Sequence, residues 1–129
     1  MLEPVVQDSL EFALQSIEMI AERFAEIQAP DDFVQTPRGV MIMDSISMRL
    51  QSVGEKIKNI DQKHPGFLKG FGIDSQPIIR FRDFISHHYD EADYEVLYDV
   101  CKNHLPGLGA KIRHILAGAG GQTTLTFSE

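Results

Sequence analysis

The chain has 129 residues, 43% apolar and 24% charged, with a net charge of −7 at pH 7. That length fits one domain with a real core, the acidity argues against a general nucleic-acid binder, and a single cysteine, Cys101, excludes an internal disulfide framework or a Cys-rich metal site. No basic stretch followed by an apolar core opens the chain, and no apolar run approaches the ~20 residues of a membrane span, so a cytoplasmic location is expected.

Residues 5–28 read as one amphipathic helix. Val6, Leu10, Ala13, Ile17, Ile20, Phe24 and Ile27 recur at spacings of four and three, with Asp8, Glu11, Glu18, Glu22 and Glu26 on other faces. Pro30, Asp31 and Asp32 break the pattern. Thr36-Pro37 restarts it as a capping residue followed by proline at the first helical position. The second helix is predicted over about 37–60, with Ile42, Ile46, Leu50, Val53, Ile57 and Ile60 as its seam. Met41, Met43 and Met48 widen the apolar face beyond one helix–helix contact, which suits either core filling or a dimer interface. Gly54 sits inside this helix despite its intrinsic cost of ~1 kcal/mol, which points to close approach of a neighbouring helix.

His64-Pro65-Gly66 through Gly72 reads as a connection, with one helical turn around Phe67-Leu68. Ser75, ahead of Gln76-Pro77, is expected to cap a third helix over about 77–88, and Asp90-Glu91-Ala92 to form the turn after it. Asp93 is expected to cap a fourth helix from Tyr94, with Leu97, Val100 and Cys101 on its core side. Pro106-Gly107 should kink or break it before Leu108, Ile112, Ile115 and Leu116 resume the stripe. The organisation expected is an all-α, up-and-down bundle of four to five helices over residues 1–117, with a flexible Gly- and Thr-rich tail over 118–129.

The chemistry concentrates at Arg82-Asp83-Phe84-Ile85-Ser86-His87-His88-Tyr89. On a helical wheel Ile78, Phe81, Phe84, Ile85 and His88 share an arc of roughly 120°, while Arg82, Asp83, Ser86, His87 and Tyr89 fall on the opposite, outward side. His88 therefore reads as a core or boundary histidine. Asp83 and His87 are four residues apart, so the carboxylate can orient the imidazole and favour its protonated form. Arg82 offers a permanently charged fork for phosphate, and Tyr89 adds a hydroxyl. A histidine and an arginine can cleave RNA without metal: the 2′-hydroxyl attacks the adjacent phosphorus, histidine moves protons, and arginine stabilises the extra negative charge. Five residues separate Arg82 from His87, about 140° around a regular helix. They converge only if the helix is distorted at His87 or if two subunits pair their motifs across a two-fold axis, and the dimer is favoured. A polar face of this kind is also what a merely solvated helix presents.

The charge distribution leaves room for a phosphate-facing surface on an acidic protein. Residues 1–35 carry eight acids and one base, and residues 36–82 carry eight bases and four acids, running directly into the motif.

The string Arg82-x-x-x-x-His87-x-Tyr89 resembles the signature of the HEPN superfamily in its HepT-like toxin branch, and Asp83 fits the polar position after the arginine. Leu50-Gln51-Ser52-Val53-Gly54-Glu55 resembles that family's second-helix element. Pro77-Ile78-Ile79-Arg80-Phe81-Arg82 resembles its approach to the motif, with Ile78 where tryptophan is usual, and Asp93 through Leu105-Pro106 resembles the segment that follows. The resemblance covers most of residues 5–116. It implies a HEPN-like dimeric bundle with Arg82 and His87 as the catalytic residues of a metal-independent endoribonuclease, and Asp83 and Tyr89 in support. It also implies a partner: a small nucleotidyltransferase antitoxin of the MntA type that silences the toxin by adenylylating Tyr89, filling the site with negative charge. The alternative is a non-catalytic HEPN module that presents substrate to such a transferase.

Other motifs are weaker. Gly118 to Gly121 is not placed between a strand and a helix, so no phosphate loop or dinucleotide fingerprint is present. His64, His87, His88, His104 and His114 lack ligand spacing, so neither a metal nor another cofactor is expected. Cys101 reads as core, not as a nucleophile. Lys111, Arg113 and His114 read as complementing the end of the last helix, with phosphate contact as the other option.

Overall fold

Proline in the first turn and an unbroken apolar stripe produce α1 (Pro4–Phe24), which buries Val6, Leu10, Ala13, Ile17 and Ile20. The computed structural model describes the backbone of residues 2–88 and 93–124, and the side chains of residues 2–85 and 93–118. The first helix stops earlier than its apolar periodicity predicts. The Asp32 carboxylate accepts from the backbone N–H groups of Gln28 (2.8 Å) and Ala29 (3.2 Å), which would otherwise be free to continue the helix. Ile27 remains buried, but in the connection. A single 3₁₀ turn, Pro30–Phe33, then places Phe33 wholly inside the core, with its ring 6.3 Å from that of Phe24.

Helix α2 (Pro37–Lys63) begins where the sequence predicts: Thr36 Oγ1 accepts from the Gly39 N–H at 2.9 Å. Gly39 has a second duty, because a Cβ there would lie 1.9 Å from the Asp32 carbonyl oxygen. Helices α1 and α2 are antiparallel. Arg38 meets Glu26 at one end (2.6 and 2.7 Å), Lys56 lies 5.3 Å from the Phe12 ring midway, and His64 meets Glu3 at the other end (3.3 Å). After the left-handed Gly66 comes the expected single turn, α3 (Phe67–Gly70), anchored by fully buried Leu68.

Helix α4 (Gln76–His88) returns antiparallel along α2. Ser75 holds the capping position, its carbonyl accepting from the Ile79 N–H, but its hydroxyl donates to Asp61 Oδ2 at 2.7 Å and ties the helix to α2. The Gln76 N–H is taken by Asp74 Oδ1 instead. Helix α5 (Tyr94–Asp99) starts on Asp93 as predicted, with Oδ1 accepting from the Glu95 N–H at 2.8 Å.

The disturbance expected at Pro106, a kink or a break, takes the form of a change in helix type and not a break. A π-helical segment, Val100–His104, joins α5 to α6 (Leu105–Thr124) while the flanking backbone stays right-handed helical. The wider turn accommodates a proline that has no N–H and whose ring would crowd the carbonyl four residues back. Helix α6 also runs past residue 117, so the backbone of 118–124 is helical. Adding a residue to an existing helix needs only one more hydrogen bond, so a packed segment can carry poor formers with it. Residues 125–129, the tail's end, lie outside the described residues, as does the expected turn at 90–92.

The order α4–α2–α1–α6 therefore describes the packing, with Tyr98 against Phe24 and Gly109 against Ile17. The described residues are helical with no strand, the all-α bundle the sequence predicts. None of these helices is long and apolar enough to cross a membrane. Fully buried Leu10, Ile46, Leu50, Val53, Ile57 and Ile112 form the centre, each worth ~1.5–3 kcal/mol of burial.

Two glycines should respond oppositely to alanine. Gly39→Ala forces a Cβ into backbone and should cost about 1–3 kcal/mol. Gly107→Ala meets open space on α6 and should gain up to about 1 kcal/mol. Urea unfolding of both variants measures the contrast, and equal shifts would contradict the close approach at Gly39.

Candidate functional site

The polar group on α4 does not all face outward. Ile78, Phe81 and Ile85 are buried as the wheel predicts and Phe84 is half-buried, but Arg82 is wedged toward α2, with only 22% of its side chain exposed. The reason is Gly54. A Cβ there would lie 2.4 Å from Arg82 Cβ and 2.7 Å from its Cγ, so the arginine's aliphatic stem occupies the space a side chain on α2 would fill. The close approach expected at Gly54 is thus a helix contact made by the motif arginine itself.

At the end of that stem the guanidinium meets two carboxylates. Nη1 donates to Asp83 Oδ1 at 2.7 Å, and Nη2 donates to Glu55 Oε1 of α2. The hydrogen bond to Asp83, then the charges of Glu55 and Asp83, push the Arg82 pKa above its ordinary value against the opposing effect of burial. The cation is permanently charged and held between two helices. Its Nε–H is buried without a partner, so part of the donor fork is left unused. Both carboxylates are nearly half exposed, which leaves the cluster reachable from solvent.

Asp83 meets Arg82. The Asp83–His87 pairing expected from the sequence involves a side chain outside the described residues, as the side chains of His87 and His88 both are, and Tyr89 lies outside them altogether. The backbone is informative nonetheless. Helix α4 stays α-helical through His88, so residues 82 and 87 remain about 140° apart around its axis. Because α4 runs antiparallel to α2, its motif end advances toward the part of α2 that exposes Val40, Met41 and Met48, the last at 73%. Glu55 is the residue whose role sequence reasoning missed. The signal was the Gly54-Glu55 pair in mid-helix, but only the three-dimensional register shows what the acid touches.

Elsewhere the chemistry is quieter. Cys101 is buried, and burial pushes its thiol up to about 12, consistent with a core residue. Lys111 donates to the Gly72 carbonyl at 2.6 Å and Arg113 pairs with Glu18 at 3.3 Å. They lock α6 to neighbouring segments, which corrects the expectation that they complement its end. Among the described residues no three His, Cys, Asp or Glu side chains gather to hold a metal. A cavity of about 600 Å³ lies at the start of α4, between Asp61, Lys69, Ile73 and Ser75, and no motif residue lines it.

Comparison with known proteins places this geometry in context. Residues 13–115 match the family model described as ribonuclease HepT-like. A curated protein of Caldanaerobacter subterraneus subsp. tengcongensis, whose name marks it as a candidate RNase, is 26% identical over 107 residues, covering 83% of this chain and 90% of that protein. No solved structure shows a significant match.

Gly54→Ala should push α4 off α2 and cost about 1–3 kcal/mol, and the cost should shrink in an Arg82→Gly background. A double-mutant cycle by urea unfolding measures this, and strictly additive costs would mean that the arginine stem is not what Gly54 admits. For Cys101, the folded pKa of about 12 exceeds the usual thiol value. Its contribution to stability is complete below the unfolded thiol's pKa and is lost as pH rises through about 12, because only the unfolded chain ionises readily in that window. A thiol reagent at pH 8 should therefore label the native protein far more slowly than the urea-unfolded chain, and equal rates would contradict the burial.

Proposed function

Because the chain belongs to the HepT-like ribonuclease family, we propose that it is a metal-independent endoribonuclease acting through Arg82 and His87. The observation that carries the reading is Arg82 itself. A guanidinium held charged at a helix–helix contact, and still reachable from solvent, suits a phosphate whose negative charge grows during reaction. RNA supplies its own nucleophile. The 2′-oxygen forms a bond to phosphorus as the bond to the 5′-oxygen breaks. His87 takes the proton from the 2′-hydroxyl and, once protonated, gives one to the leaving 5′-oxygen, while Arg82 stabilises the pentacoordinate phosphorus.

The α-helical backbone through His88 supports a site shared between two copies of the chain, since positions 82 and 87 lie about 140° apart around the axis. The exposed Met41 and Met48, seven residues apart and so on one face of α2, supply an apolar surface beside the motif end of α4 for that pairing. In this reading Tyr89 is the position at which a partner nucleotidyltransferase antitoxin adds adenylate, which would crowd and repel RNA.

Purified protein should cleave single-stranded RNA in the presence of EDTA. Arg82→Ala and His87→Ala should each lose at least about a hundredfold in rate while unfolding cooperatively. Gel analysis of the products checks this, and cleavage at the wild-type rate in both variants would sink the proposal. Co-expression with a nucleotidyltransferase partner should add adenylate mass to the wild type but not to Tyr89→Phe, read by intact mass.

A further inference from the structure

We infer that Glu55 is a positioning residue for Arg82, one that holds the guanidinium for reaction while weakening its grip on the RNA phosphate before reaction. The inference rests on the ribonuclease reading and concerns the same site. Three observations carry it.

The first is the division of labour along the arginine. Its stem is fixed by packing over Gly54, so the stem needs no further anchor. Its head is held relative to α4 by Asp83, and its position relative to α2 needs a contact from α2. Asp83 is the next residue on the same helix and moves with the arginine. Glu55 is the contact that ties the head to α2.

The second is charge. Glu55 and Asp83 set two carboxylates against the guanidinium, and both acids reach solvent beside it. A phosphodiester coming to Arg82 therefore meets the repulsion of the Glu55 carboxylate as well as the attraction of the guanidinium. The third is the donor count. A guanidinium has five N–H donors: Glu55 takes one from Nη2, Asp83 takes one from Nη1, and Nε–H is buried, so the second N–H of each terminal nitrogen is what remains. Donors remain for a phosphate oxygen without breaking either restraint.

Charge and restraint can be separated by substitution. Glu55→Gln keeps an acceptor oxygen on the same stem but removes the negative charge, so it should lower KM by about threefold to tenfold with kcat within about threefold of wild type. Glu55→Ala removes the acceptor as well, so KM should fall similarly while kcat falls by about tenfold or more, because the guanidinium is no longer held for the transition state. Glu22→Gln, which deletes an exposed charge on α1, serves as the control for overall charge and should change neither constant. A simple stability loss would not tighten binding, so the fall in KM is the distinguishing readout. Binding of 2′-O-methyl RNA of the same sequence, followed by fluorescence anisotropy, should tighten in parallel for Glu55→Gln.

An unchanged or raised KM in Glu55→Gln, or full kcat in Glu55→Ala, overturns the inference while leaving the ribonuclease reading intact if Arg82→Ala is inactive. Absence of any RNA cleavage by the wild type overturns the ribonuclease reading, and this inference with it.

Discussion

The missing side chain at Gly54 is the constraint on which the site depends. A β-carbon there would overlap the first two carbons of the Arg82 side chain, so α4 lies where it does only because α2 carries a glycine at the crossing. Glycine in a helix interior ordinarily costs about 0.5–1 kcal/mol relative to alanine. Here that cost is offset by close packing of α4, whose Ile78, Phe81 and Ile85 complete the core along α2. The same crossing sets the guanidinium beside Glu55. Packing, backbone propensity and electrostatics at the site thus meet at one residue pair from different helices.

A second consequence comes from the regularity of α4. The helix shows no distortion through His88 that would swing residue 87 round to residue 82. The helical repeat alone then favours a site built from two motifs over one built within a single α4. Met41 and Met48 of α2 are exposed, and neither belongs to the hydrophobic core cluster. The π-helical segment before Pro106 belongs to a different part of the fold. It lets α5 and α6 act as one long prop behind α1, secured by Lys111 on Gly72 and Arg113 on Glu18.

Much of this was legible in the sequence, because much of it is local. Thr36 and Asp93 cap their helices as their side-chain chemistry dictates, and the apolar stripes of α1 and α2 mark the buried faces. Several misreadings share a cause: they concern groups whose partners are distant in sequence. Ser75 sends its hydroxyl to Asp61 on α2, and Lys111 reaches back to Gly72. On an isolated helical wheel Arg82 falls outside the apolar arc, but its long stem can lie along a neighbouring helix, and only Gly54 makes room for that. Glu55 could be quoted as part of a family-like segment, yet its contact with Arg82 follows from the antiparallel register of α2 and α4. At Pro106 the expected disturbance is a wider turn, which absorbs a proline that a strict α-helix cannot.

Mixing two inactive variants gives the most direct test of the proposal that Arg82 and His87 from different copies complete one ribonuclease site. Arg82→Ala and His87→Ala proteins, each inactive alone, would be unfolded together, refolded at equal concentration and assayed on RNA. Random pairing puts both variants in half of the dimers, each with one intact site of two, so cleavage should return to about a quarter of the wild-type rate. A mixture as inactive as its separate components would contradict the shared site.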